Sequence, residues 1–317
     1  MKKILVTGGL GYVGGRMVQH LLMADPEISI DISSRRKADV NTIFNTDRVS
    51  LVDTEELNST DISLSYNYAA IVHLAAANEI DAVQNTAQSI EVNILNSYIL
   101  LQKAIAASVQ RFIYFSTAHV YGSPLQGIIS EEIWPKPLHP YAITHKGFED
   151  FLWAAHQKKE IEGIIIRLSN SFGAPFTVDV NRWTLLVNDL CRQGVINRKM
   201  ILKSSGTQLR DFVTLNDVSR ALHHLLLVPG DKLGDGIFNL GGNYAVSVYD
   251  MAVLIRDRFS QQFHMNIPIE RPEPAASEVI QPFAYQSNRL AASGFKWTND
   301  IHNEIDHLIL FCIKHFS

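Results

Sequence analysis

The stretch TGGLGYVGG, residues 7–15, follows the apolar run ILVT at 4–7 and leads into GRMVQHLLMA at 15–24. In the latter, Met17, Val18, Leu21 and Leu22 recur at helical spacing, so the glycines lie between a buried strand and a helix. Gly8, Gly11 and Gly14 stand three apart. At such a junction the first glycine allows a tight turn and the second lets backbone approach a pyrophosphate. The third lets the helix pack closely on the sheet. The helix N-terminus then offers free N–H groups to phosphate. This strand–turn–helix context predicts dinucleotide binding.

Working outward, further apolar runs read as strands: ISIDI at 28–32, AAIVHLAAA at 69–77, RFIYFSTAHVYG at 111–122 running into a turn, and IEGIIIRLSN at 161–170. Helical patterns cover about 81–107 and 147–157, while 40–68 is polar with one short apolar element near Val49 to Val52. Strands alternating with helices predict an α/β fold, a Rossmann-type doubly wound parallel sheet covered on both faces. Beyond residue 170 the elements shorten, with strand-like pieces at 199–203 and 237–240. The expected organisation is a dinucleotide-binding domain over 1–168 and a smaller C-terminal substrate-binding lobe over 169–317, with some segments of the lobe returning to the first domain.

Bulk composition excludes several function classes. The net charge of −4 and the lack of a basic block argue against a nucleic-acid partner. No apolar stretch approaches eighteen residues, so no membrane partner is expected. Cys191 and Cys312 form no disulfide framework, and the histidines show no zinc spacing, so no metal site is expected. A cytoplasmic location fits.

The end of the second strand bears on the choice of dinucleotide. Asp31 lies at about the right distance to hold the adenine-side ribose of NAD, but it falls between Ile30 and Ile32 in the alternation. The strand then ends in SSRR at 33–36, where Ser34 and Arg35 could receive a 2′-phosphate. The cofactor is NAD or NADP, with this end favouring NADP.

Downstream motifs carry a family resemblance. They include TGGLGYVG at 7–14, HLAA at 73–76, Asn93, FSTAHVYG at 115–122, PYAITH at 140–145 and RLSNSFG at 167–173. RDFVTLNDV at 210–218, FNLGG at 238–242, RPEP at 271–274 and GFKW at 294–297 follow in order. With these the chain resembles the extended short-chain dehydrogenase/reductase family, in its nucleotide-sugar epimerase/dehydratase group. The resemblance spans nearly the whole chain. It implies a dinucleotide in the first lobe, with Ala75 and Asn93 beside it, and a nucleoside-diphosphate sugar in the second. It also implies Tyr141 as the acid/base for a sugar hydroxyl, Thr117 as the hydroxyl bonding the reacting oxygen, and Asn170, Arg210 and Arg271 as substrate contacts. A homodimer through the two long helices is implied in the same way.

One departure matters for the chemistry. The family places a lysine four residues after the tyrosine, where it holds the nicotinamide ribose and lowers the tyrosine pKa. Here that place is His145, and Lys146 lies about 100° further round the helix. Either His145 substitutes, with positive charge only when protonated, or Lys146 is recruited by a local shift, or the site is degenerate. A second departure follows Thr117, where dehydratases of the family carry Asp-Glu and this chain has Ala118 and His119. That disfavours 4,6-dehydration. It leaves His119 as a substrate contact or second acid/base. A nucleotide-sugar C4 epimerase is the leading expectation, an NADPH-dependent keto-sugar reductase the next, and a catalytically impaired NAD(P)-binding protein the third.

Overall fold

The computed structural model describes residues 2–59, 63–64, 66–278 and 280–317, so part of the polar 40–68 stretch lies outside the described residues. The apolar runs of the first half form β1 (Lys3–Thr7), β2 (Ser29–Ser33), β3 (Val49–Val52), β4 (Ala70–His73), β5 (Arg111–Thr117), β6 (Gly127–Ile129) and β7 (Glu162–Leu168). The second half adds β8 (Asn170–Phe172), β9 (Met200–Ile201), β10 (Leu209–Thr214), β11 (Ile237–Leu240), β12 (Ala245–Ser247), β13 (Ile269–Glu270) and β14 (Phe283–Tyr285).

Seven of these strands make one parallel sheet in the order β11-β7-β5-β4-β1-β2-β3. The chain starts in the middle, winds out to β3, then returns past β1 to build the other side. That reversal opens a crevice at the carboxyl ends of β1 and β4, where such sheets bind ligands. The stretch at 237–240 is β11, the edge strand of this large sheet.

Helices α1 (Tyr12–Ala24), α2 (Val40–Phe44) and α3 (Thr54–Asn58) connect the early strands. The expected long helix at 81–107 is broken into α4 (Glu79–Gln84), α5 (Thr86–Ile90), a π-helical stretch (Glu91–Asn96) and α6 (Ser97–Ala106). The break has a local cause: the Asn85 side chain accepts the Gln88 N–H and caps a new helix start. Helix α7 runs from Pro140 to Gln157, earlier than the periodicity at 147–157 indicated. Pro140 supplies the preset φ of a first helical residue, and the His139 ring caps the end by accepting the Tyr141 N–H at 3.2 Å.

Helices α8 (Leu186–Asn197), α9 (Leu215–Leu227), α10 (Val248–Phe263), α11 (Asn288–Ala292) and α12 (Ile301–Phe316) complete the chain. Helix α9 packs against α1 over the large sheet. Helices α8, α10 and α12 enclose a second apolar core around Val187, Met251, Ile255 and Leu308. Arg16 of α1 ties the two cores together, donating to the Ala174 carbonyl and pairing with buried Glu304 at 2.9 Å.

Candidate active site

A cavity of about 1010 Å³ opens at the sheet's switch point and is lined from the glycine turn to the start of α7. Backbone clearance explains the glycines at its floor. Gly8 has φ +69°, and a Cβ there would meet the Ala75 nitrogen at 3.1 Å. A Cβ on Gly14 would stand 2.3 Å from the Gly8 carbonyl oxygen, so no larger residue fits without moving the turn. The Thr7 hydroxyl accepts the N–H groups of Leu74 and Ala75, which locks the β4 loop beside the turn. Gly8, Gly11, Gly14 and Ala75 all line the cavity.

At the far end of β2 the cavity meets Ser34, Arg35 and Arg36. Asp31 does not reach it, contrary to its candidacy as a cofactor ligand. It is fully buried on the sheet face of its register partner Leu5. There it pairs with Lys3 at 2.9 Å and accepts the Tyr68 hydroxyl at 2.7 Å. Strand parity decides this, because alternate residues face opposite sides.

A strap over residues 174–182 crosses the cavity. Phe176 stacks on Phe44 at 4.7 Å, and Asp179 pairs with Arg36 at 3.3 Å. Arg182 then pairs with Glu79 at 3.3 Å. Sequence reasoning missed the strap, and it missed Glu79 and Arg182, since they fall in no motif. The only signal was an arginine in a polar, Pro-containing stretch.

Tyr141, Thr117, His119, His145 and Asn170 face the same cavity. Thr117 ends β5, and its hydroxyl accepts the His119 N–H at 3.2 Å as a cap for the turn that follows. Burial dominates the titration of the Tyr141 phenol and pushes its pKa up to about 12. Arg182 lowers it, Glu79 raises it, and the nearby Thr117 hydroxyl lowers it. His119 stands open on the wall, yet the protein around its ring pushes its pKa down, with Arg210 adding like charge. Asn170 donates to the Asp211 carbonyl at 2.9 Å, leaving its side-chain oxygen for a ligand.

His145 is buried against the Tyr141 ring, with centroids 4.4 Å apart. Burial, then the nearby His73, pulls its pKa down to about 3, so it carries no charge at neutral pH and cannot act as a cation. Its Nδ1 meets the Tyr114 hydroxyl at 2.6 Å. That buried phenol has no other hydrogen-bond acceptor among the described residues, so its O–H donates to Nδ1 and the ring proton sits on Nε2. Among the described residues Nε2 has no partner, and it is buried. Lys146 is not recruited: it turns outward and pairs with Asp150 one helical turn on.

Three further candidates do not line the cavity. Asn93 is buried with its amide spent on Ala77 at 2.7 Å and Thr144 at 2.9 Å, so it fixes the loop after β4 onto α7. Arg271 donates to the Ser205 carbonyl at 2.6 Å and lies over the Tyr249 ring at 3.5 Å, within the C-terminal lobe. Arg210 lies on β10 outside the cavity lining, and its charge is felt at His119 on the cavity wall.

A family model described as the NAD dependent epimerase/dehydratase family matches residues 4–241. The chain belongs to this family. Within it the chain falls in the extended short-chain dehydrogenase/reductase nucleotide-sugar group. Human dTDP-D-glucose 4,6-dehydratase is a family relative 28% identical over 264 residues, covering 79% of this chain and 72% of the human one. The structure of UDP-glucuronic acid 4-epimerase from Bacillus cereus in complex with UDP-glucuronic acid and NAD has the same fold. Its TM-score is 0.82 at 21% identity, covering 99% of this chain and 100% of that one. RMD from Pseudomonas aeruginosa complexed with NADPH also shares the fold, with TM-score 0.76 at 19% identity over 99% of both chains.

Proposed function

We propose that this family member is a nucleotide-sugar enzyme that binds a nicotinamide dinucleotide along the cavity and epimerises a sugar at C4 through a keto-sugar intermediate. One observation carries the reading: Tyr141 and Thr117 both line a cavity floored by the glycine turn. The residues fit the dinucleotide. The turn is wound so tightly that a Cβ at Gly11 or Gly14 would strike the Gly8 carbonyl oxygen, and one at Gly8 would crowd the backbone at Ala75, so bare backbone faces the cavity. Buried His145, whose Nε2 is unpartnered among the described residues, is one of the residues that line it. Gly8, Gly11, Gly14 and Ala75 would hold the pyrophosphate side, and the Nε2–H of His145 would bond a ribose hydroxyl. When bound, the nicotinamide supplies the acceptor and donor of hydride for the sugar carbon. Tyr141 takes the proton of the C4 hydroxyl and returns it, while Thr117 donates to the same oxygen. Asn170, His119 and Arg210 would position the nucleotide sugar.

The substrate class follows from relatives whose names specify dTDP- and UDP-sugars. The human relative matched by sequence is named a dehydratase, yet Ala118 and His119 offer no carboxylate pair for eliminating water. A second reading, an NADPH-dependent reductase of a nucleotide-linked keto sugar, is favoured by one feature. The β2 end presents Ser34 and Arg35 while Asp31 is consumed elsewhere. A homodimer is supported by the outward apolar side chains Leu95, Tyr98, Ile143 and Phe151 at or near α6 and α7. The test is turnover of UDP- and dTDP-sugars followed by NMR, with each dinucleotide added. C4 inversion without net cofactor consumption is expected, falling about 10²–10⁴-fold in Tyr141→Phe. Stoichiometric NADPH oxidation with a keto sugar would select the reductase. Loss of water at C5–C6 would reject both.

A further inference from the structure

We propose that Arg182, on the strap, supplies to Tyr141 the positive charge that a lysine at position 145 would supply, and that Glu79 sets how much of that charge Tyr141 feels. The inference rests on Tyr141 being the acid/base and adds the group that makes its phenolate accessible. A phenol buried beside neutral groups is a poor base, so a cation must stand near it. His145 does not provide one, and Lys146 faces outward in its pair with Asp150. Among the described residues, the arginines and lysines lining the cavity are Arg35, Arg36 and Arg182. The first two sit at the β2 end, and Arg36 is tied to Asp179. Arg182 is tied to Glu79 at the start of α4, and α4 packs against α7, so of the three it stands at the Tyr141 end of the cavity, where its charge favours the phenolate.

The strap holds Arg182 firmly at its base. Val180 is buried beside Tyr12 and Leu215, and Trp183 is buried in the C-terminal core. Its guanidinium, one-third exposed, meets both Glu79 oxygens at 3.3–3.4 Å through one nitrogen. That contact is long for a charge-assisted bond and leaves the other donors free to answer a phenolate. Among the described residues, the other titratable groups that line the cavity from the elements around Tyr141 include His73 of β4, Asp81 of α4, His119 after β5, His139 at the α7 cap and His145 within α7, beside Glu79 of α4. Glu79 and Arg182 thus act on Tyr141 with opposite signs. Both are positioning residues, since they work through Tyr141.

The experiment places 3,5-difluorotyrosine at position 141 and titrates it by 19F NMR in the full-length chain. Arg182→Gln should raise the midpoint by roughly one unit, and Arg182→Lys should restore most of it. Glu79→Gln should lower it. If the pair only braced the strap, removing either partner would move the midpoint the same way, and that result would overturn the inference. An unmoved midpoint in Arg182→Gln would overturn it equally. The readout needs no turnover. If Tyr141→Phe keeps full activity, the acid/base reading fails on its own, whatever the titration gives.

Discussion

The glycine turn after β1 and the first turn of α7 face each other across one cavity, and they tolerate change very differently. At the turn, backbone meets backbone: a Cβ on Gly14 would lie 2.3 Å from a carbonyl oxygen. Only one residue type satisfies that geometry. At α7 the requirement is a hydrogen bond and a charge, and two side chains can share those. In the proposed reading His145 keeps the donor through its Nε2–H, and the charge comes from Arg182 on a distant stretch of chain. Steric requirements fix a sequence position; electrostatic ones fix only a place in space.

The largest consequence concerns acid. His145 and His73 are both buried and neutral, with pKa values pulled down to about 3 and about 4. Each binds fewer protons folded than unfolded between those values and about 6.5. Stability is therefore full above about pH 6.5 and falls as the pH drops toward the folded values. At pH 5 each should cost on the order of 2 kcal/mol. Urea unfolding at pH 7 and pH 5 checks this, and His145→Gln should shrink the loss by about half of the pair's share. An unchanged loss would mean that His145 is not held neutral by burial.

Next in size is the turn. Gly14→Ala should destabilise the chain by about 1–3 kcal/mol through overpacking and should abolish dinucleotide binding. Thermal melts with and without added dinucleotide measure both effects. Retained binding would show that the turn has slack and would erase the contrast with α7. The smallest effect is expected from His145→Lys. It should raise turnover near neutral pH, but by no more than about tenfold, because Arg182 already supplies charge. A flat rate in a folded, dinucleotide-binding variant would remove charge at this position from the account of catalysis.

Much of the sheet could be read from apolar runs and the glycine spacing, since the inner strands of a doubly wound sheet are almost continuously buried. The breaks in 81–107 were hidden because Asn85 caps a helix only where the chain turns to allow it, and the residues on both sides keep helical spacing. Asp31 was misplaced by counting distance along the chain; parity across the strand turns it to Lys3 and Tyr68. Tyr141, Thr117 and the glycines were legible because each sits at the end of an element that fixes its direction. Glu79 and Arg182 meet across about one hundred residues of sequence, with no local pattern to announce them. Arg271 had a motif-like setting, and its guanidinium is engaged by the Tyr249 ring and the Ser205 carbonyl, apart from the residues that line the cavity.

The most direct measurement is calorimetric titration of the purified chain with NADPH and with NADH. Saturable binding of one dinucleotide per chain is expected without any lysine at position 145, with NADPH the tighter ligand because Ser34 and Arg35 line the β2 end while Asp31 is turned away to Lys3. No binding of either dinucleotide would contradict the cavity's assignment, and tighter binding of NADH would contradict the role given to Ser34 and Arg35.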